Sequence, residues 1–315
     1  MGNSSYKPFI LKTDIELQEI VLSSFVNTTC SLSLLREDQI HPFVSGNKFR
    51  KLKYNIEQAV KDGHNTLLTF GGAYSNHIAA VAAAGKSTGL QTIGIIRGEE
   101  LSDKITENPT LSFAQEQGMQ LHFITRKAYK DKYEASQIEA LKKSFGNFYL
   151  LPEGGTNKLA IKGCEEILSE IENSDTFDYI CAPVGTSGTI AGLIEASKPN
   201  QKILGFSALK GSFQISEVKK YTSKTNFEIT DEYCFGGYAK IDLQLVRFIN
   251  EFYKKTGIPL DPVYTGKMLF GVVDLLKRGY FKKNSRIFAV HTGGLQGIPG
   301  MNQRLKKKNL SQIII

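Results

Sequence analysis

Much that would announce a function is missing from this 315-residue sequence. The four cysteines, Cys30, Cys164, Cys181 and Cys234, have no paired spacing, which argues against a zinc site and a disulfide framework. They read as reduced thiols of a cytoplasmic protein that holds no metal. No apolar run is long enough to cross a bilayer, and no secretory leader opens the chain, so no membrane is expected. The first residues, MGNSSYK, miss the myristoylation pattern because Tyr6 stands where Ser or Thr is needed. Neither a solenoid repeat nor a low-complexity linker is found. The net charge of +8 is dispersed, without a basic stripe or an aromatic stacking array, so nucleic acid is not an expected partner. That excess of cations favours a small acidic ligand instead. The basic terminus RLKKKNLSQIII reads as a solvated helix end followed by a docking tail.

What is present is an ordinary globular composition, 41% hydrophobic and 22% charged, enough for one large domain or two moderate ones. Residues 1–44 read as short strands and loops. A buried strand is then expected at 66–70 and further strands at 92–97, 121–125 and 148–151, recurring at intervals of about 26 residues. Helices are expected between them: Asn76 to Thr88, one opening at Asn108-Pro109, and a charged one over Lys132 to Phe145. This alternation predicts βα units in a parallel sheet. A second series follows the turn at 152–157, with a helix over Lys158 to Ile171, strands at 179–184, 203–207 and 286–291, and a helix from Ile190. The fold class is therefore α/β, with two open parallel-sheet domains sharing a cleft and a ligand expected at the C-terminal ends of the strands.

Four places could carry chemistry. The stretch SGNKFRKLKY turns at Ser45-Gly46-Asn47 and delivers Lys48 and Lys51 to the first turn of a helix, whose apolar face is Leu52, Ile56 and Val60 and whose end is marked by Gly63. Two cations at the positive end of a helix dipole make sense beside an anion; a solvated basic helix start is the plainer reading. The junction Gly185-Thr186-Ser187-Gly188-Thr189 follows an apolar strand and opens a helix. Its backbone N–H groups and hydroxyls could cradle a phosphate, though glycines at such junctions also serve only tight turns. It is neither a Walker loop nor a dinucleotide fingerprint. The junction GGAYSNH (71–77) puts Asn76 at the N-cap and leaves Ser75 to grip a carboxylate, while His77 alone reads as a packed histidine. The last glycine-rich junction is Thr292-Gly293-Gly294. A lysine at a turn, a phosphate cradle and a carboxylate nest combine economically as pyridoxal 5'-phosphate on a lysine, acting on a small amino acid. A silent phosphate or nucleotide binder uses the same features without the covalent bond.

The motifs LLRED (34–38), GNKFRKL (46–52), GGAYSNH (71–77), GTSGTIAGL (185–193), GGY (236–238), DPVYTGK (261–267) and HTGG (291–294) run in order along nearly the whole chain. Together they resemble the 1-aminocyclopropane-1-carboxylate deaminase/D-cysteine desulfhydrase family of pyridoxal-phosphate enzymes, which have the tryptophan-synthase-β-like fold. That resemblance implies a larger cofactor-binding domain of residues 1–48 and 151–315, a smaller α/β domain of 49–150, and a homodimer. It makes Lys48 the Schiff-base lysine, with Lys51 and Gly185, Thr186, Ser187, Gly188 and Thr189 at the cofactor phosphate. Asn76 would bond the pyridine hydroxyl. Ser75 would meet the substrate carboxylate, in the family's proposed nucleophile position. Tyr238 and Tyr264 would stand near the substrate as acid/base or stacking groups, and Thr265 would face the pyridine nitrogen.

Where the deaminases usually carry Glu, a threonine at 265 would donate to an unprotonated nitrogen and weaken the electron sink, which suits loss of a thiol better than opening of a cyclopropane. HTGG in place of HLGG points the same way. The expected activity is therefore a lyase of D-cysteine desulfhydrase type, with the cyclopropane deaminase as the alternative. Departures from the family pattern are Ser45 for a glycine, Tyr74 for a glutamine, a missing Thr-Pro-Leu element, and His41-Pro42-Phe43 where a polar, glycine-rich segment is usual.

Overall fold

The computed structural model describes residues 7–9, 15–44, 46–211 and 213–315. The N-terminal MGNSSY and Ser45 of the lysine turn lie outside the described residues.

The chain runs through β1 (Leu17–Glu19), β2 (Ser31–Leu35), α1 (Asn47–Lys61), β3 (Thr66–Gly71), α2 (Asn76–Thr88), β4 (Gln91–Arg97), α3 (Pro109–Glu116), β5 (Gln120–Ile124), α4 (Arg126–Lys130), α5 (Ala135–Phe145) and β6 (Tyr149–Leu151). It continues with α6 (Lys158–Ser169), β7 (Tyr179–Val184), α7 (Gly188–Ala196), β8 (Lys202–Ser207), α8 (Phe213–Lys219), β9 (Phe227–Thr230), α9 (Leu243–Thr256), α10 (Thr265–Lys277), β10 (Arg286–Val290) and α11 (Ile298–Lys307).

The strands form two sheets. The smaller has the order β5-β4-β3-β6 and the larger β1-β2-β10-β7-β8-β9. Every pairing in the smaller sheet is parallel, as the spacing of its strands predicts. In the larger sheet only β1 departs, running antiparallel to β2. Each sheet is covered on both faces, which makes three layers twice over. In the larger sheet, Leu32, Leu34, Phe206 and Ala289 pack with α9, α10 and α11, while Ile180, Ala182 and Val290 pack with α6 and α7. In the smaller one, α1, α2 and α3 cover Leu67 and Ile96, and Leu141 and Phe145 of α5 lie against Leu68, Phe70 and Ile95.

Three local expectations are corrected. The helix expected over 132–145 starts at Ala135 as α5, and a separate short helix not foreseen, α4, precedes it at Arg126–Lys130, where the Thr125 side chain accepts from the Ala128 N–H at 3.0 Å. Strand β9 was not foreseen, since FEIT is a four-residue edge strand. Ser75, and not Asn76, caps α2, its hydroxyl accepting from the Ile78 N–H at 3.3 Å. Among the described residues no helix is long and apolar enough to cross a membrane.

Sheet order places the site. β2, β10 and β7 are neighbours in the larger sheet, so the loops at their C-terminal ends meet: the lysine turn, His291–Gly294 and Gly185–Thr189. In the smaller sheet, β3 lies between β4 and β6, so the 71–77 junction stands beside Arg97 and the Glu153–Gly155 turn. The crevice between these two sets of loops is where an open parallel sheet binds its ligand.

Candidate active site

The lysine turn is fixed on three sides. The Gly46 N–H donates to the Glu37 carbonyl at 2.8 Å. Gly46 has φ +63°, and a Cβ there would lie 1.9 Å from the Thr292 carbonyl oxygen. Only glycine both adopts that conformation and lets the HTGG backbone approach so closely. The Asn47 amide donates to Thr189 Oγ1 at 2.7 Å, tying the turn to the second glycine loop. One turn on, Arg50 is buried against Glu37 and reaches Glu170 on α6.

Lys48 and Lys51 both lack a carboxylate within ion-pair distance among the described residues. Among the described residues Lys48 makes one long contact, to Asn47 Oδ1 at 3.4 Å. Burial, and then the charge on Lys51, bring its ammonium down from 10.5 to about 7. Lys51 donates to the Gly154 carbonyl at 3.2 Å, Thr156 Oγ1 at 3.0 Å and Thr186 Oγ1 at 3.2 Å, and burial brings it down to about 8. The structure thus joins Lys51 to the Gly185–Thr189 loop.

That loop has the features an oxyanion would complete. Ser187 sits at φ +65°, and its hydroxyl is buried with no hydrogen-bond partner among the described residues. Behind it, α7 begins at Gly188 with the free N–H groups of a helix start. An unpartnered hydroxyl, a helix N-terminus and a buried lysine without a counter-ion fit a phosphate, which supplies the missing acceptors and charge together.

Across the crevice, Ser75 caps α2, and among the described residues no basic group bonds its hydroxyl. Asn76 is half-buried and accepts from the Gln296 side-chain amide. Asn76 Nδ2 lies 2.6 Å from where a Cβ on Gly294 would be, so that glycine leaves open the space in front of the amide nitrogen. His77 is a packed histidine, as expected. It is 2% exposed, contacts Thr69 Oγ1 at 2.9 Å, and is held well below 6.5 by burial and then by the two lysines.

Tyr238 and Tyr264 meet edge to face, with ring centroids 6.2 Å apart. Burial raises both phenols, Tyr264 well above 10, so both keep their protons at neutral pH. Thr265 is fully buried, and its hydroxyl donates to Asp261 Oδ1. The sequence reading gave that proton to a pyridine nitrogen; the structure spends it on the carboxylate that also accepts from the backbone N–H groups of Val263, Tyr264 and Thr265.

Sequence reasoning missed four residues that hold the others in place. Lys267 donates to the Cys234 carbonyl at 2.7 Å and the Gly237 carbonyl at 2.8 Å, fixing the loop that carries Tyr238. Asp261 organises the start of α10, Asn47 bridges to Thr189, and Gln296 bridges to Asn76. The first three lie inside motifs already singled out and could have been read there; Gln296 lies outside them.

The family model for pyridoxal-phosphate dependent enzymes matches residues 22–293. This chain belongs to that family. It is 31% identical to "Putative 1-aminocyclopropane-1-carboxylate deaminase" of Pyrococcus horikoshii, over 83% of this chain and 84% of that one. It is 27% identical to "D-cysteine desulfhydrase" of Klebsiella pneumoniae, over 82% and 85%. A solved ACC deaminase homologue superposes with a TM-score of 0.80 at 26% identity, covering 93% of each chain. The protein is thus a pyridoxal-phosphate-dependent enzyme, with relatives named for both deamination and desulfhydration, and the α/β architecture foreseen is the one found.

Two outcomes follow for the apoenzyme. Lys48 and Lys51 are depressed to about 7 and about 8 from 10.5, so the folded chain binds fewer protons than the unfolded chain between those values. This contribution to stability therefore rises with pH from about 7 towards 10.5 and is lost as pH falls. Urea midpoints at pH 7 and pH 9 should differ in that direction, and the difference should shrink in a Lys48→Met/Lys51→Met variant. Separately, Lys51→Met should weaken cofactor binding by about tenfold or more, the loss of a charge-assisted hydrogen bond worth about 1.5–3 kcal/mol. Equilibrium dialysis measures it, and the apoenzyme should be no less stable for the change.

Proposed function

We propose that the enzyme is a D-cysteine desulfhydrase, converting D-cysteine and water to pyruvate, ammonia and hydrogen sulfide. The observation that carries this reading is the contrast between two groups. Burial brings the Lys48 ammonium down to about 7, so a substantial share of it is the free amine near neutral pH, a base able to take a proton from Cα. The Ser75 hydroxyl, which a nucleophilic opening of a cyclopropane would recruit, caps α2 and has no basic partner.

Lys48 would carry the cofactor, and Lys51 with Gly185–Thr189 would hold its phosphate. Asn76 would meet the ring hydroxyl, and Thr265 would lie on the ring-nitrogen side. Bound there, pyridoxal phosphate supplies an electron sink that makes the Cα proton of an amino acid acidic. Ser75 and the start of α2 would orient the substrate carboxylate. Lys48, freed from the cofactor by the substrate amine, would accept the Cα proton. The Tyr238–Tyr264 pair, kept protonated by burial, would give a proton to the departing sulfur. Thr265 now supports the assignment only through its lack of charge, since its proton is engaged by Asp261.

The same reading takes residues 1–48 and 151–315 as the larger, cofactor-binding domain and 49–150 as the smaller α/β domain, in a cytoplasmic homodimer. The alternative, deamination of 1-aminocyclopropane-1-carboxylate, is favoured by the name of the Pyrococcus horikoshii relative. Pyruvate and sulfide formed from D-cysteine are to be compared with 2-oxobutanoate formed from the cyclopropane. A higher kcat/KM for D-cysteine is the expected result. A higher value for the cyclopropane overturns the assignment.

A further inference from the structure

Asn76 and Gln296 lie 220 positions apart, and their side chains join the two sheets across the crevice. Asn76 opens α2 beside the smaller sheet, while Gln296 lies in the short turn Leu295–Gly297 that leads into α11 beside the larger one. Their contact orients the Asn76 amide. The carbonyl oxygen accepts from Gln296 Nε2, so the NH2 group is turned to the space in front of Gly294. The Asp261 side chain borders that same space, its Cγ 3.3 Å from the point a Gly294 Cβ would occupy. A carboxylate there favours N–H over C=O on electrostatic grounds.

The turn that carries Gln296 leads into a helix held by hydrogen bonds at its far side. Asn302 on α11 exchanges two hydrogen bonds with the Ile313 backbone, both 2.9 Å. Asn250 on α9 bonds the Gln312 carbonyl and the Ile314 N–H, also at 2.9 Å. Ile313 itself is buried in the core between those helices. The segment 312–314 thus pins α11 to α9, and the turn that carries Gln296 is held from its far side.

We propose that Gln296 is a positioning residue: it fixes the Asn76 amide so that N–H, and not C=O, meets the ring oxygen of pyridoxal phosphate, and thereby selects the ionised form of that oxygen. This rests on the reading above that Asn76 meets the ring hydroxyl. An N–H donor stabilises an oxyanion, whereas a carbonyl turned to the same place favours the protonated phenol. Gln296 touches neither cofactor nor substrate on this account and acts through Asn76 alone.

Replacement by a group that can only accept tests it. In Gln296→Glu the Asn76 amide must turn round to donate to the new carboxylate, presenting its carbonyl to the ring. The reconstituted enzyme is then expected to lose intensity in its visible cofactor band in favour of the shorter-wavelength band of the protonated ring, with the pH at which the two interconvert raised. Cofactor dissociation, measured by equilibrium dialysis, should be about tenfold weaker. Gln296→Met, of similar length but without polar atoms, should give a smaller change in both, and covers failure of the charged variant to fold. Asn76→Ala separates the two layers of the argument. If it alters spectrum and affinity while both Gln296 variants match wild type, the positioning role is overturned and the Asn76 contact stands. If Asn76→Ala also matches wild type, the contact itself is overturned.

Discussion

Lys48→Ala is expected to abolish the visible absorption of the reconstituted enzyme and to cut turnover of its amino-acid substrate, on the proposal above D-cysteine, by about 10²–10⁴-fold, the range lost with a positioned general base. The expectation distinguishes Lys48 from Lys51, the other buried lysine one turn away. Lys51 directs its ammonium at three oxygens, on Gly154, Thr156 and Thr186, and is committed to the loop it touches. Lys48 has a single contact of 3.4 Å and the lower titration point, about 7. A neutral, weakly tethered amine is the one free to react with a carbonyl group and then to take a proton. The variant should fold at least as well as wild type, because it removes a half-buried amine whose charged form the folded state disfavours. Borohydride reduction of the wild-type holoenzyme, followed by peptide mapping, should place the cofactor on Lys48. An adduct on Lys51, or turnover surviving in Lys48→Ala, would contradict the assignment.

The parts of this molecule that were legible in the sequence are those governed by short-range pattern. The strands β3, β4, β5 and β6 recur at nearly even spacing and fall within a residue or so of their expected positions, β3 and β4 as buried runs and β5 half-buried. The glycine junctions were visible because backbone conformation and close approach leave few alternatives to glycine, as Gly46 against Thr292 demonstrates. What could not be read depended on contacts across the chain. Asn47 to Thr189 spans 142 positions and Gln296 to Asn76 spans 220, and polar residues of this kind carry no periodicity. The N-cap of α2 was misplaced by one residue because Ser and Asn are near-equal caps and stand side by side there. The role of the Thr265 hydroxyl was misjudged for a related reason. A threonine in the first turn of a helix can donate outward or back to a residue four positions earlier, and Asp261 waits at that position.

Arg50→Ala is the substitution expected to cost most stability, about 3–5 kcal/mol, because it strips the partner from a carboxylate that has no access to water. The Glu37 side chain is 0% exposed and that of Arg50 1%, and the guanidinium meets Glu37 Oε1 at 2.8 Å. Burial raises the Glu37 pKa even with Arg50 in place, so without the arginine the carboxyl is driven to its neutral form. The sign of the pH dependence follows. A buried acid with a raised pKa lets the folded state hold a proton that the unfolded state has released, so its cost grows as pH rises and fades as pH falls. The loss in Arg50→Ala should accordingly be larger at pH 8 than at pH 5, in urea titrations against wild type. Replacing both partners, Glu37→Leu with Arg50→Met, should recover most of the stability, since no charge is left behind. It should not recover turnover to the same degree. The Glu37 segment also receives the Gly46 N–H, and Arg50 ties α1 to α6 through Glu170, so the pair sets where the lysine turn stands against the phosphate loop. A small displacement of Lys48 there misaligns base and substrate, and kcat is expected to fall while the protein stays folded. Full recovery of both quantities would make the ion pair a matter of packing alone.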